Sequence, residues 1–164
     1  MKSPALVGMV ALLACGSCQY DPRAHLYTTR KPSPQDLAGR YKLKWQTVTG
    51  DGLLAFGGKL PVVELFADGS FTATNLPPGG PQISVLDRDF WRTLLNGSGH
   101  WRVDAVGGID NGFGREEIHW GVYLESVAAP LHPAGLTGTK LPYGLIFTLG
   151  DPDLGEAMFF ERQN

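Results

Sequence analysis

Apolar and polar residues alternate with period two through much of the chain beyond residue 39. Arg40-Tyr41-Lys42-Leu43-Lys44-Trp45 puts Tyr41, Leu43 and Trp45 on one face and three cations on the other, which predicts a half-buried strand with a basic outer row. Val62 to Thr74 predicts a hairpin around Ala67-Asp68-Gly69, read as a three-residue loop closed by Gly69 in the left-handed region. That register pairs Leu65 with Phe71 and Val63 with Ala73, facing the core, and turns Glu64, Ser70 and Thr72 outward. A two-residue Asp-Gly loop would put the Glu64 carboxylate on the face of Phe66 and Phe71, where burial without a partner is costly.

Further alternating runs predict strands at Gly99–Asp104, with Trp101 and Val103 inward, and at Glu116–Glu125, with Ile118, Trp120, Val122 and Leu124 on one side. Tyr143–Leu149 and Ala157–Glu161 predict a C-terminal hairpin. Leu86–Leu95 is the one helix candidate, with Leu86, Phe90 and Leu94 at helical spacing and Asn96-Gly97 as its stop. Asp110-Asn111-Gly112 reads as a turn, and Gln35–Gly39 as a single helical turn ahead of the first strand. Glycine- and proline-rich loops are expected at 49–59, 75–84 and 128–141. The sum is about seven strands joined mostly by hairpins. This predicts an all-β domain over residues 37–164, a small antiparallel meander-like β-barrel with at most one short helix; a β-sandwich is the alternative.

The first residues follow another logic. Lys2 precedes the uncharged apolar run Ala5–Leu13, and small residues follow, as in a secretory signal over residues 1–14. The run is shorter than the ~20 residues that span a bilayer. Leu12-Leu13-Ala14-Cys15 resembles the lipobox of bacterial lipoproteins. The resemblance implies cleavage after Ala14, diacylglycerol on the sulfur of Cys15, and acylation of the new amine. In Gram-negative lipoproteins an Asp after the Cys tends to retain the protein at the inner membrane, so in such a cell Gly16 favours the outer membrane, facing the periplasm. Several acyl chains anchor stably where one does not, so the domain needs no membrane-inserting face of its own. Residues 15–36, rich in Gly, Ser, Gln, Pro and Arg, read as a flexible tether able to hold the domain tens of ångströms from the bilayer.

Composition narrows the classes further. Residues 15–164 suit one domain with a sizeable core. Losing Lys2 with the signal moves the formal charge from −2 to −3, and no basic run points to nucleic acid. With Cys15 acylated, Cys18 has no intramolecular partner, so the fold is expected to use no disulfide. Twenty-two Gly and 12 Pro fit short strands punctuated by turns.

Asp36-Leu37-Ala38-Gly39-Arg40-Tyr41 is similar to the opening of lipocalin-type (calycin) barrels, in which a short helical turn precedes a Gly-x-Trp strand. Tyr41 stands in place of that Trp, and the Arg that lipocalins carry near the last strand has no counterpart evident in the sequence. The chain also resembles a set of uncharacterised bacterial single-domain lipoproteins. Those share the motifs found here at Leu65–Phe71, Ser98–Trp101 and Pro142–Glu161. These are turn and core motifs, so the resemblance implies a fold and no reaction.

Candidate chemistry is sparse. His100 and His119 each precede a Trp on a predicted strand and are expected on the same outer face, where a metal or a general base is conceivable; zinc wants three or four ligands. Asp151 and Asp153 place oxygen ligands at alternate positions, as a calcium loop does, but Pro152 and the missing third acid fit a tight turn better. His25 and His132 are expected to be exposed. No nucleophile elbow, phosphate loop or dinucleotide fingerprint is present, and no cofactor is implied. Trp45, Phe71, Trp101, Trp120, Phe147 and Phe160 line either a ligand cavity or a filled core; barrel size does not decide between them, and a mostly filled interior is expected. The expectation is a lipid-anchored binding module that engages an envelope protein or a small apolar ligand through its long loops, an immunity or inhibitor lipoprotein being one variant. The rival class is a hydrolase or metal-dependent enzyme using His100 and His119.

Overall fold

In a computed structural model of the chain, residues 21–47, 56–77, 94–110, 116–125, 133–149 and 155–164 are described. Eight strands run in chain order around a closed antiparallel barrel. They are β1 (Gly39–Gln46), β2 (Val62–Leu65), β3 (Ser70–Leu76), β4 (Leu95–Asp110), β5 (Glu116–Leu124), β6 (Ala134–Thr137), β7 (Gly144–Thr148) and β8 (Ala157–Arg162). β1 pairs with both β2 and β8, which closes the sheet on itself. The sandwich alternative is thereby excluded, and the strand number rises from about seven to eight.

The hairpin of β2 and β3 has the register that burial demands. Leu65 opposes Phe71 and Val63 opposes Ala73. Phe66 and Ser70 close the loop, with the Phe66 N–H donating to the Ser70 carbonyl over 2.8 Å. Gly69 takes φ of 85°, which a side chain would disfavour. The Ser70 N–H and hydroxyl both donate to Asp68 Oδ1. These bonds hold the Asp68 carboxyl below its usual value.

Four expectations change. In β1 the pairing shifts between Leu43 and Trp45. The extra residue reverses the side-chain alternation, so Trp45 leaves the core, 42% exposed, and Gln46 turns inward. Leu95 and the Asn96-Gly97 step belong to β4, not to a helix terminus, because the edge of β3 is there to pair: Leu76 opposes Leu95 and Ala73 opposes Gly97. Leu94, just ahead of β4, is not helical and packs partly buried against the core; residues 86–93 of that helix candidate, and the Asn111-Gly112 part of the predicted turn, lie outside the described residues. The 128–141 loop contains β6, which pairs with β5 and β7. Its four residues, Ala-Gly-Leu-Thr, are too short and too small for alternation to register.

The fourth change concerns the segment assigned to the tether. From Asp21 onward the chain is not free. A 3-10 turn at Ala24–Leu26 leads to Tyr27, which forms a bridge with Thr137. Thr28 then fills the seam where β5 and β6 diverge. Its N–H donates to the Leu136 carbonyl (2.8 Å), and its carbonyl accepts from the Trp120 N–H (2.9 Å). Its hydroxyl donates to the Gly138 carbonyl (2.7 Å). The seam offers unpaired backbone groups, and burying them unpaired would be costly. We call residues 21–33 the strap.

The core fills the barrel with Tyr41, Leu43, Val63, Leu65, Phe71, Leu124, Leu145, Phe147, Met158 and Phe160 among others. Phe147 and Phe160 meet edge to face at 5.1 Å. Gly99 lets the Glu125 carbonyl and the Phe71 ring approach β4, where a Cβ would meet both. A second, smaller cluster lies outside the wall: Ile146, Ala157 and Phe159 under Leu26 and Tyr27. It explains why β7 and β8 are apolar on both faces.

Candidate functional site

Because the strands alternate in direction, the connections sort between two ends. Those at 66–69, 111–115 and 138–143 are short and share one end, the base. Those at 47–61, 77–94, 125–133 and 149–156 are longer and share the other, the rim. The Gly/Pro segments 49–59 and 75–84, and the part of 128–141 before β6, therefore all belong to the rim.

The base is built by a one-turn helix, α1 (Pro34–Leu37). Ser33 and Asp36 make a reciprocal cap: the Asp36 N–H donates to Ser33 Oγ and the Ser33 N–H to Asp36 Oδ2. Pro34 occupies the first helical position, where its missing N–H costs nothing. Leu37 is buried completely beneath the barrel. The Tyr41 hydroxyl donates to the Leu37 carbonyl over 2.8 Å. Arg162, at the end of β8, donates from Nη1 to the Asp36 carbonyl (2.8 Å) and from Nη2 to the Ala38 carbonyl. A Cβ on Gly39 would meet Arg162 Nε at 2.6 Å, so the absence of a side chain there gives the guanidinium its place. The Tyr41 phenol is pushed up to about 12 by burial, against an opposing effect of the Arg162 charge.

The sequence left Arg162 unassigned. A signal was present: Met158 and Phe160 face inward, and the same parity places Arg162 at the inward position where β8 ends. A charge at such a position needs acceptors, and the last carbonyls of α1 supply them.

The two histidines do face outward, as alternation predicts, but they are not neighbours. The His100 carbonyl accepts from the Glu125 N–H, whereas His119 opposes Gly107. Six residues of β5 separate those levels, about 20 Å at ~3.3 Å per residue. A shared metal or a paired acid and base is therefore contradicted. His100 is exposed. His119, expected to be solvated, is only 7% exposed, because the Tyr27 ring of the strap stacks on it at 4.7 Å and 7°. His25 is exposed. Asp151, Asp153, His132, Cys15 and Cys18 lie outside the described residues. Among the described residues no group of three or more His, Cys, Asp or Glu is arranged to hold a metal ion, and no helix is long and apolar enough to cross a membrane.

Two surface features complete the picture. An open cleft of ~540 Å³ at the base is lined by Arg30, Lys31, Lys140, Asp36 and the Tyr143 ring among others. Lys31 Nζ lies 4.8 Å over the Trp120 ring. On the outside of β1 and β8, Trp45 stacks on Phe159 at 3.7 Å. The Arg23 guanidinium lies 5.5 Å from that same Phe159 ring and donates from Nη2 to Thr47 Oγ1 over 3.1 Å.

Of the six aromatic residues expected to line the interior, Phe71, Trp101, Phe147 and Phe160 are buried there. Trp101 Nε1 donates to the Phe66 carbonyl. Trp120 is partly buried against them, and Trp45 is outside.

No family model matches the chain, and neither a curated protein nor a solved structure matches it. What the molecule can do rests on its own geometry: a base sealed by backbone capping, a packed interior, and a rim that gathers the long connections.

Proposed function

We propose that this protein is a lipid-anchored binding module of the bacterial cell envelope, built on a lipocalin-type barrel and engaging its partner through the rim. The observation that carries this reading is the division of labour between the ends. The base is closed by α1, Tyr41 and Arg162, whereas every long connection, rich in Gly and Pro, leaves the rim. Mouths of β-barrels and loops held by a rigid scaffold are where binding groups concentrate. The described interior is packed with aromatic side chains, so binding is assigned to the rim rather than to the depth of the barrel.

The lipocalin-type part of the reading draws on two features. A helical turn leads into the Gly39–Tyr41 opening of the first strand, and Arg162 near the end of the last strand reaches back to it. The lipid anchor draws on the lipobox at Cys15. The enzyme alternative loses its support with the separation of His100 and His119.

Site-specific photo-crosslinking tests the assignment. A photo-reactive residue at Lys59, exposed beside the rim, is expected to give a discrete adduct with an envelope component in cells. The same residue at Lys140, at the base, is expected to give none. A discrete adduct from Lys140 alone would reject the rim as the binding surface.

A further inference from the structure

We propose that the barrel stands with its rim toward the lipid surface that holds its anchor, and its basic base cleft toward the aqueous side. This rests on the lipidation of Cys15 proposed above and concerns what that anchor does to the barrel.

A free tether from residue 15 to 36 would let the domain present any face. The strap removes that freedom. It is fixed at the base end by the Thr28 bonds to Leu136, Trp120 and Gly138, and by the Gly138 N–H donating to the Leu26 carbonyl over 3.1 Å. From there, traced back toward the N-terminus, it climbs the outside of the wall. The Tyr27 ring lies where a Cβ on Gly135 would be. Leu26 and Tyr27 cover Ile146 and Phe159. At the top, Arg23 reaches Thr47, and Pro22 and Arg23 lie against Gly155. Thr47 and Gly155 belong to rim connections, so the chain leaves the barrel at the rim.

Six peptide steps separate Cys15 from Asp21, where the described chain begins. At most ~3.6 Å per residue allows them about 20 Å. The rim therefore stays within roughly that distance of the acylated residue, while the base lies farther off by the length of the wall. Six residues of β8 alone rise about 16 Å along the strand. Arg30, Lys31 and Lys140, which flank the base cleft, are carried on the far side. They are thus displaced, by more than a Debye length of ~8 Å, from the anionic headgroups that would otherwise attract them.

The test uses the full-length lipidated protein with Cys18→Ser, reconstituted in vesicles of phosphatidylethanolamine and phosphatidylglycerol containing a nickel-chelating lipid. A nitroxide is attached at Lys59→Cys on the rim or at Lys140→Cys on the base, and its spin relaxation is measured. The expected result is a relaxation enhancement several-fold larger at Lys59→Cys. Equal enhancement at both sites, or a larger one at Lys140→Cys, would overturn the orientation while leaving the anchor in place. Protein that carries no lipid and stays off the vesicles would overturn the anchor and the orientation together.

Discussion

Arg162 ties the two ends of the barrel's chain to each other. Its guanidinium holds the carbonyls of Asp36 and Ala38, so the last strand closes the turn that opens the first. Arg162→Ala removes both donors and leaves partly buried carbonyls to water. A loss of about 2–3 kcal/mol in urea unfolding is expected. Arg162→Lys should recover only part of it, because one ammonium lacks the planar fork that spans both acceptors. Tyr41 adds a pH dependence. Its folded pKa is pushed up to about 12 by burial, whereas a free tyrosine titrates near 10. The folded state keeps the proton after the unfolded chain has lost it. Stability from this group is therefore full below about pH 10 and lost as the pH rises to about 12, on the order of 2 kcal/mol. Burial, together with the Asp21 charge and a hydrogen bond to Asp21, raises the Tyr27 phenol too, so the two act in the same direction. Urea midpoints measured across that range should fall, and Tyr41→Phe should make the fall shallower.

The strap is the element whose role the composition concealed. A stretch dominated by Gly, Ser, Gln, Asp, Pro and Arg reads as tether, yet Thr28 completes the barrel wall and Tyr27 buries His119. The cue lay elsewhere in the chain. Leu145-Ile146-Phe147 and Met158-Phe159-Phe160 do not alternate, and strands that are apolar on both faces require a cover on both. Gly135→Ala tests the fit, since its Cβ would occupy the position of the Tyr27 ring. The strap should lift, and limited proteolysis between residues 21 and 33 should become faster without loss of the barrel's strand content by circular dichroism. Cleavage as slow as in the wild type would show that the ring does not hold the strap down. Tyr27→Ala, which removes the ring from His119 and from the Ile146 and Phe159 cluster, should cost about 2 kcal/mol in urea unfolding. Elements with clean period-two alternation were legible in the sequence, down to the residue register of Leu65 with Phe71. Where an extra residue entered β1, alternation alone misplaced Trp45; where β6 carried Ala and Gly, it produced no signal.

At the scale of the molecule, the sequence conveyed the class of fold but not its polarity. Antiparallel closure needs a register that joins β1 to β8, and the bulge at Leu43 and Trp45 is part of that register. The separation of short base connections from long rim connections follows only once the strand number is eight. An even number returns the chain to the end from which it started. The candidate metal chemistry dissolved for a related reason: two outward histidines on adjacent strands sit far apart when β4 and β5 pair with Trp101 opposite Leu124. Under the proposal above, six residues and a lipid on Cys15 hold the barrel by its rim near a membrane. Metabolic labelling with a palmitate analogue tests that claim most directly. Label is expected on the wild type and on Cys18→Ser, and is expected to vanish from Cys15→Ser. Full labelling of Cys15→Ser, or none of the wild type, would contradict it.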